Sequence, residues 1–325
     1  MSSNPLKIVS IGGGTGLSTL LRGLKKCPAD LAAIVTVMDD GGSSGRLRDE
    51  FGILPPGDIR NCLIALSEDE NLMSRLFRYR FSSEGGLHDH SFGNLFLTAM
   101  AGVTGDFAEA VRLTSEVLAI KGVIYPATNT SVNLRAQFDD GTWIDGESRI
   151  TAARKKVRRV ELVPADAEPL TDALRAILTA DVITLGPGSL YTSLVPNLLV
   201  REVVQTIRDS KATKIYIQNI MTQPGETDDY RVGEHILALM EHCEGTLLFP
   251  NVILNSGVPS SETRKRYEAE GAALVRFNRE SLNNLGIRIM ERDLLAEDSV
   301  IIRHDPDRLA KAVLEMAGFA RAQDA

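Results

Sequence analysis

The residues best suited to chemistry form a glycine-rich run close to the start of the chain. The run lies between residues 7–11, whose β-branched composition predicts a strand, and residues 17–26, whose apolar spacing predicts a helix. Glycines let the backbone approach a ligand closely, and the start of a helix offers free N–H groups to an anion. We therefore predict a phosphate-binding loop, with a tight turn that binds nothing as the alternative. Its residues are Gly12, Gly13, Gly14, Thr15 and Gly16.

A second glycine-containing loop, Leu-Gly-Pro-Gly-Ser at residues 185–189, also joins a predicted strand to a predicted helix. In an open parallel sheet such loops share the carboxyl edge, where ligands bind. Two of them at one edge indicate a ligand with two anionic or polar ends. We predict that Gly188 and Ser189 contact this ligand, with an ordinary Pro-Gly turn as the alternative.

Adjacent carboxylates follow the second predicted strand, which spans residues 31–38. Asp39 and Asp40 directly precede a polar segment, residues 41–57, that we interpret as a loop. An acidic side chain at this edge commonly accepts ribose hydroxyls, whereas a carboxylate pair can hold Mg²⁺ beside a diphosphate. Both roles place Asp39 and Asp40 in the nucleotide site, and Mg²⁺ is the one cofactor that the sequence suggests. A solvated acidic turn is the third interpretation.

Other polar clusters lie in predicted loops. Asn219 follows a later predicted strand, in a segment rich in amides and hydroxyls that suits hydrogen bonding to ribose, a base or a sugar. Asp58 opens a predicted helix, where capping is its simplest role. His88 and His90 have a spacing that can ligate a metal, although surface histidine pairs of this kind are common.

The order of the elements indicates an α/β fold. Strands and helices alternate at the start of the chain, residues 58–120 are mostly helical, and the alternation returns near residue 170. Residues 123–163 alternate polar and apolar side chains around Asp140-Gly141, which is typical of a hairpin. Closing strands are predicted at residues 273–277 and 300–303. We predict one domain over residues 1–325: a mostly parallel sheet with helices on both faces and a small antiparallel β insertion at about residues 123–163.

The amino-acid composition excludes several classes of partner and cellular location. The net charge of −7 argues against nucleic acid or an anionic membrane as the main partner, because both require a basic surface. The three cysteines are far apart and predict neither a zinc site nor a disulfide scaffold, which fits a reducing compartment. No stretch approaches the roughly 20 apolar residues of a membrane span, and the short apolar run near the start predicts a strand, not a signal peptide. We therefore expect a cytoplasmic protein.

Several longer motifs occur in order along nearly the whole chain. They are GGGTG at 12–16, MDDGGSSGRLRDEFGILPPGDIRNCLIAL at 38–66, HSFGNL at 90–95, LGPGSLYTSLVPNLLV at 185–200 and NIMTQPGETD at 219–228. Together they resemble the YvcK family of gluconeogenesis factors, within the CofD-like superfamily.

The resemblance implies a Rossmann-like fold with a pocket for a nucleotide diphosphate. It also implies binding of UDP-N-acetylglucosamine, a role in cell shape and wall precursor supply on gluconeogenic carbon, enzymes of amino-sugar synthesis as partners, and a homo-oligomer. The family's phosphate-loop positions fall on Gly12 to Gly16, Gly188 and Ser189, its polar pocket positions on Asp39, Asp40 and Asn219, and its late motifs on Tyr267 and Arg303.

Three functions are compatible with these features. The first is a non-catalytic regulator that binds a nucleotide sugar, and the second is a transferase that cleaves a diphosphate-linked donor, as CofD does. An NAD-dependent oxidoreductase is less well supported, because the loop lacks the complete GxGxxG fingerprint and no obvious His/Asp acid-base pair follows. We favour the regulator, since no motif supplies an activated nucleophile or a base with an orienting partner. The acidic loop also departs from the CofD pattern, so a deazaflavin substrate is not expected.

Overall fold

The computed structural model describes residues 5–68, 72–82, 84–296 and 301–323. Its strands are β1 (Leu6–Gly12), β2 (Ala29–Val35), β3 (Val123–Pro126), β4 (Asn133–Phe138), β5 (Trp143–Asp145), β6 (Val157–Val163), β7 (Val182–Leu185), β8 (Thr213–Ile217), β9 (Asn251–Asn255) and β10 (Arg288–Arg292). Seven of them form a sheet in the order β10-β9-β8-β7-β1-β2-β3, in which every pair is parallel. The other three form an antiparallel sheet in the order β5-β4-β6. This confirms the predicted α/β fold class.

The helices account for most of the remaining regular structure. They are α1 (Gly14–Leu24), α2 (Gly42–Phe51), α3 (Gly57–Leu66), α4 (Leu72–Arg78), α5 (Phe92–Thr104), α6 (Phe107–Val117), α7 (Glu147–Ala153), α8 (Thr171–Thr179), α9 (Val195–Leu198), α10 (Val203–Asp209), α11 (Val232–His242), α12 (Ser261–Ala269), α13 (Arg279–Asn284) and α14 (Pro306–Gln323). A π-helical turn, Leu190–Leu194, precedes α9. Within the described ranges, no helix is long and apolar enough to cross a membrane.

The strand order reverses between β1 and β7. From β1 the chain adds β2 and β3 on one side, and it later returns to add β7, β8, β9 and β10 on the other. β1 is an interior strand, and Ile8, Val9 and Ile11 are all buried, as expected for a strand covered on both faces. The gap between β1 and β7 at the carboxyl edge is therefore the switch point where ligands bind in open α/β sheets.

Helices cover both faces of the main sheet. α1 packs against α3 and α14, and α14 also contacts β8, β9 and β10. α8 packs against α10, and α9 contacts α10 and α11. Crossovers between parallel strands are right-handed, and the chain builds the sheet outward from β1 in two opposite directions. The helices α1, α3 and α14 therefore lie on one face of the sheet, and α8, α9, α10 and α11 lie on the other.

The antiparallel sheet is smaller than the predicted insertion. β4 and β5 form the expected hairpin around Gly141, whose φ of +81° suits glycine, and β6 pairs with the other edge of β4. β3, however, pairs in parallel with β2 at the edge of the main sheet. The predicted boundary at residue 123 is therefore wrong: β3 is too short for its residue alternation to distinguish a sheet edge from a hairpin strand.

Other sequence predictions need correction near functional loops. The segment after β2 is largely the helix α2, although its Gly and Ser content predicted a loop. Residues 273–277 form only an isolated bridge, Leu274 to Met221, and the last strand of the sheet is β10. Residues 301–303 are not a strand, and Val300 lies outside the described residues. Both predicted strands were short apolar runs, which periodicity alone does not distinguish from extended loops.

The contact between α1 and α14 depends on Gly23. A Cβ at this position would lie 1.9 Å from the Pro306 carbonyl oxygen. We expect Gly23→Ala to lower the free energy of unfolding by about 1–3 kcal/mol, because overpacking forces the backbone to move. Chemical denaturation measures the change.

Gly102, in α5, provides the matched control, because a Cβ there would meet no atom within 4 Å. Gly102→Ala should stabilise the protein by about 0.4–1 kcal/mol, as the unfolded chain loses freedom. Equal effects of the two substitutions would contradict the proposed packing constraint at Gly23.

Candidate functional site

The two glycine-rich loops meet at the switch point. Ile11 of β1 pairs with Leu185 of β7, so the loops that follow leave the sheet side by side. A Cβ at Gly16 would lie 2.2 Å from the Pro187 carbonyl oxygen. Position 16 therefore requires glycine, and the main chains of the two loops are in direct contact.

A third loop is attached to this pair through Asn219, directly after β8. The Gly188 N–H donates to Asn219 Oδ1 at 3.1 Å, and Asn219 Nδ2 donates to the Gly188 carbonyl oxygen at 2.7 Å. Gln223 Nε2 adds a hydrogen bond to Ser189 Oγ at 2.5 Å. The carboxyl ends of β1, β7 and β8 thus form one continuous polar surface.

These loops line a cavity of about 580 Å³, which Tyr267 and residues 301–304 complete. The cavity brings together most of the residues that the sequence predicted: Gly13, Gly14, Thr15, Gly16, Gly188, Ser189, Asn219, Tyr267 and Arg303. Gly12 lies immediately before it at the end of β1, where its carbonyl oxygen accepts hydrogen bonds from the Thr36 N–H and from Asn197 Nδ2.

The start of α1 lines this cavity with main chain at Gly14, Thr15 and Gly16. Gly13, the residue before the helix, provides no side-chain cap. Gly14 has a φ of +63°, a left-handed conformation that glycine adopts without strain. The N–H groups of a helix's first turn and the helix dipole make such a helix start suitable for an anion.

Asp58 is a site residue whose importance the sequence reading missed. Its carboxylate accepts a hydrogen bond from the Gly14 N–H, and a Cβ on Gly13 would lie 2.7 Å from its Oδ2 atom. Burial raises the pKa of Asp58 to about 6, and the nearby charge of Asp39 adds to the increase. The sequence suggested only a helix cap because Asp58 lies in the first turn of α3. Its contact with the glycine-rich loop joins residues more than 40 positions apart, and no local pattern indicates such a contact.

Asp39 and Asp40 do not line the main cavity. Asp39 lines a neighbouring polar cavity of about 250 Å³, together with Ser43, Asp58 and Arg60. Its Oδ1 accepts a hydrogen bond from the Gly41 N–H at 3.0 Å. Asp58 borders this smaller cavity and the glycine-rich loop at the same time, so the two cavities adjoin one another there.

Asp40 attaches the antiparallel sheet to this edge. Its Oδ1 accepts a hydrogen bond from the Ser148 N–H at 2.8 Å, and its Oδ2 lies against Gly146. Because Gly146 has no side chain with which to cap α7, Asp40 supplies that cap from 108 residues away. The geometry therefore separates the two adjacent aspartates into different environments.

The arrangement of the side chains that could ligate a metal limits how the protein can hold a metal ion. Over the described ranges, no group of three or more His, Cys, Asp or Glu side chains is arranged to hold a metal ion. His90 is buried with its Nδ1 at 3.0 Å from Ser43 Oγ, whereas His88 is exposed, so this pair does not converge. Asp39 can supply one oxygen ligand, and Mg²⁺ bound to a diphosphate commonly takes its remaining ligands from phosphate and water.

The sequence reading left two glutamates unassigned, of which Glu147 lies close enough to Asp39, Asp40 and Glu226 for their charges to act on it. Glu226 is 3% exposed, and its Oε1 accepts a hydrogen bond from Thr192 Oγ1 at 3.2 Å. Burial raises its pKa to about 7. Burial also raises the pKa of Glu147 to about 7, and the charges of Asp39 and Asp40 contribute. Glu147 lies in no recognised motif, and the 219–228 motif that contains Glu226 gives no indication that this carboxyl group is buried.

Tyr267 organises the far segment of the cavity lining. Its hydroxyl accepts a hydrogen bond from the Ile302 N–H at 3.0 Å, and the Arg266 guanidinium lies 5.8 Å from the centre of its ring. Arg303 and His304 follow directly and line the cavity beside it. Arg303 is exposed, whereas His304 is buried, and burial lowers the pKa of His304 to about 4.

Comparison with known proteins identifies close relatives of the whole chain. The family model described as 2-phospho-L-lactate transferase CofD matches residues 8–295. The gluconeogenesis factor of Halalkalibacterium halodurans is 48% identical over 309 residues, which cover 95% of each chain. The gluconeogenesis factor of Bacillus subtilis is 46% identical over 310 residues, covering 95% of this chain and 98% of the relative. A crystal structure of a Bacillus halodurans protein superposes with a TM-score of 0.93 at 46% identity, covering 95% of this chain and 99% of that one.

The buried glutamate at position 226 predicts a specific pH effect on stability. Its folded pKa of about 7 lies above the ordinary 4.5, so the folded protein binds this proton more tightly than the unfolded chain does. The resulting stabilisation is complete below pH 4.5 and is lost as the pH rises to about 7. Glu226→Gln does not ionise, so at pH 8 it should be more stable than the wild type by roughly 3 kcal/mol.

Thermal melts of both proteins between pH 4.5 and pH 8 measure this difference, which should vanish at the acidic end. Glu262→Gln, at an exposed position in α12, is the matched control and should show no such pH dependence. A constant difference between Glu226→Gln and the wild type across the range would contradict a raised pKa.

Proposed function

Because the chain belongs to the CofD family and, within it, to the YvcK-type gluconeogenesis factors, we propose that it is a cytoplasmic regulator that binds a nucleotide sugar such as UDP-N-acetylglucosamine. The observation that carries this proposal is the main cavity at the switch point. It is lined by two glycine-rich loops, by the amide-rich loop after β8, and by Tyr267 and Arg303. Its volume of about 580 Å³ is in the range of small-molecule sites.

The glycine-rich loops supply the part of the site that suits a diphosphate. The start of α1 lines the cavity at Thr15 and Gly16, and the adjacent loop lines it at Ser189, so main chain from two loops can approach an anion. Charge-assisted hydrogen bonds from main-chain N–H groups to phosphate are short and strong. A protein with a net charge of −7 can therefore bind a dianion here through local donors.

The remaining lining suits the uncharged parts of a nucleotide sugar. Asn219, Thr222 and Gln223 present amide and hydroxyl groups for ribose or sugar hydroxyls. Tyr267 presents an aromatic ring that can stack on a base, and Arg303 a guanidinium that can pair with phosphate. The site thus combines donors for a diphosphate with a flat apolar surface and a polar amide surface.

The proposed role is to report the supply of nucleotide sugar for cell-wall synthesis during growth on gluconeogenic carbon, acting on enzymes of amino-sugar synthesis, with the chain as a homo-oligomer. A non-catalytic role is supported by the hydroxyl groups of the main cavity. In the described part of the chain, none of the Ser or Thr side chains that line it hydrogen-bonds with a histidine base. An activated nucleophile requires such a partner.

Calorimetry and mass analysis test the proposal directly. The protein is titrated with UDP-N-acetylglucosamine, UDP, GDP and NAD, with Mg²⁺ and with EDTA, and is then incubated overnight with the nucleotide sugar. Binding of UDP-N-acetylglucosamine and its recovery intact support a regulator. Release of UDP or UMP would instead indicate the transferase chemistry suggested by CofD, and no binding of any nucleotide would overturn the proposed site.

Arg303 provides the first mutational prediction. Arg303→Ala should weaken binding of UDP-N-acetylglucosamine at least about tenfold, because it removes a charge-assisted contact to phosphate. Arg175→Ala, at an exposed position in α8, is the matched control and should bind normally. Calorimetry gives both affinities. Equal affinities in a folded Arg303→Ala protein would remove Arg303 from the site.

The neighbouring aspartates allow a sharper comparison. If Asp39 contributes a ligand to Mg²⁺ bound to the diphosphate, Asp39→Asn should reduce nucleotide affinity at least about tenfold with Mg²⁺ and have no effect in EDTA. Asp40→Asn should instead lower the melting temperature, because it weakens the cap of α7. Titrations in Mg²⁺ and in EDTA distinguish the two. A loss of affinity in EDTA for Asp39→Asn would indicate contact with ribose, not metal.

A further inference from the structure

A second large cavity lies beside the main cavity, and the proposed function does not use it. Its volume of about 690 Å³ is in the range of small-molecule sites. We call it the edge cavity, because it lies at the carboxyl ends of β8, β9 and β10, the edge at which open α/β sheets bind ligands. Asn219 and Ile220 line both cavities, whereas the glycine-rich loops line only the main one.

Aligned residues of three neighbouring strands form the floor of the edge cavity. The Gln218 N–H donates to the Ile253 carbonyl oxygen at 3.1 Å, which continues the pairing of β8 with β9 and sets Gln218 beside Leu254. Leu254 pairs in turn with Glu291 of β10. Laterally aligned residues of a sheet project their side chains to the same face. Because Gln218, Leu254 and Glu291 all line the edge cavity, it lies on the face to which these three side chains project.

A hydrogen-bonded stretch of main chain lies between the two cavities. The Val275 N–H donates to the Ile220 carbonyl oxygen at 3.0 Å, and the Thr222 N–H donates to the Ala273 carbonyl oxygen at 2.7 Å. Ala273 and Val275 line the edge cavity, whereas Thr222 lines the main cavity. The two cavities are therefore separate spaces on either side of this stretch, and a ligand in one leaves the other open.

The charges that line the edge cavity leave one cation without a counter-charge. Glu291 forms an ion pair with Arg279, which lies outside the lining. Glu268 pairs with Arg264 at 3.3 Å. Over the described ranges, by contrast, the exposed Arg276 side chain makes no hydrogen bond or ion pair, although it lines the same cavity. A guanidinium in this state is suited to a carboxylate or a phosphate group, which it binds through two parallel hydrogen bonds.

Apolar side chains lie in the same cavity as this cation. Val258 is 71% exposed, and Leu274 and Phe277 are partly exposed. All three line the edge cavity. Ligand sites typically combine an apolar lining with a few polar or charged groups that orient the ligand. The edge cavity therefore suits a molecule that carries one anionic group on an apolar body.

We propose that the edge cavity is a second binding site, for a small organic anion whose phosphate or carboxylate group pairs with Arg276 and whose apolar body packs against Val258 and Phe277. The site goes beyond the proposed function, because it requires no nucleotide in the main cavity. The helix α12 lines both sites, with Tyr267 in the main cavity and Arg264 in the edge cavity. The two ligands therefore contact the same helix.

Four simple probes distinguish the two parts of this site on the wild-type protein. Phenyl phosphate and benzoate carry an anionic group on an apolar ring, inorganic phosphate has no ring, and benzyl alcohol has no charge. Each is titrated while the amide NMR spectrum of the protein is recorded. At least one of the two ring anions should bind at least about tenfold more tightly than benzyl alcohol, and phenyl phosphate at least about tenfold more tightly than inorganic phosphate. The tighter ring anion identifies the anionic group, and binding of both no tighter than benzyl alcohol overturns the proposal.

Variants of Arg276 locate the anion. Arg276→Ala should weaken binding of the tighter ring anion at least about tenfold and leave the affinity for benzyl alcohol within about threefold. Arg276→Lys keeps the charge and should retain part of the affinity. Arg175→Ala, at an exposed position in α8, is the matched control and should bind both probes normally. Equal affinities of the wild type and a folded Arg276→Ala protein for the ring anion overturn the proposal.

Saturating UDP-N-acetylglucosamine tests whether the two sites are separate. The ring anion should still bind within about threefold of its original affinity, and its amide shifts should include Arg276 and Phe277. Loss of binding, or shifts confined to the glycine-rich loops, would place the anion in the main cavity and overturn the proposal. Failure of the protein to bind any nucleotide would overturn the proposed function alone, since the Arg276 variants test the edge cavity without one.

Discussion

The lateral pairing of β1 with β7 is the constraint on which the rest of the site depends. It reverses the strand order and brings two loops together at the carboxyl edge, where Gly16 lies against the Pro187 carbonyl oxygen. No side chain fits between them, so the cavity meets main-chain atoms on both sides. Asn197 and Asn219 extend the arrangement, since their amides bind main-chain oxygens of the first and second loop respectively. The close approach of the two main chains thus positions four elements: the start of α1, the loop after β7, the helix α9 and the loop after β8.

Buried carboxyl groups set the electrostatics around this approach. Asp58, Glu147 and Glu226 each have a pKa raised toward neutrality, with burial as the largest cause. Full ionisation of all three would place negative charge beside a surface otherwise suited to phosphate. If the cavity binds an anionic ligand, as proposed, protons or a cation near these groups would favour binding, and the affinity would be coupled to their ionisation. The separate environments of Asp39 and Asp40 mean that they do not contribute equally to this coupling.

Much of the fold was predictable because its signals are local. The β-branched run of β1, the glycines after it and the periodic apolar residues of α1 each determine structure over a few residues, and together they indicate a parallel sheet. The sequence predictions of secondary structure were wrong where the local residue pattern was weak or fitted more than one element. β3 is four residues long and joins the main sheet, α2 is rich in Gly and Ser yet helical, and β10 is a charged edge strand. For β3 and β10 the pairing partners, not the residue patterns, decide the place in the sheet.

The sequence by itself determined the glycine-rich loops, their position after strands, and the family to which the motifs belong. These properties follow from residue type and spacing, which act over one turn or one loop. Only the tertiary structure decided that Asp58 reaches the glycine-rich loop, that Asp40 caps a helix in the antiparallel sheet, and that Tyr267 and Arg303 border the same cavity as Gly13. Those contacts join residues more than 40 positions apart. They depend on the order in which strands pair, and no local pattern encodes that order.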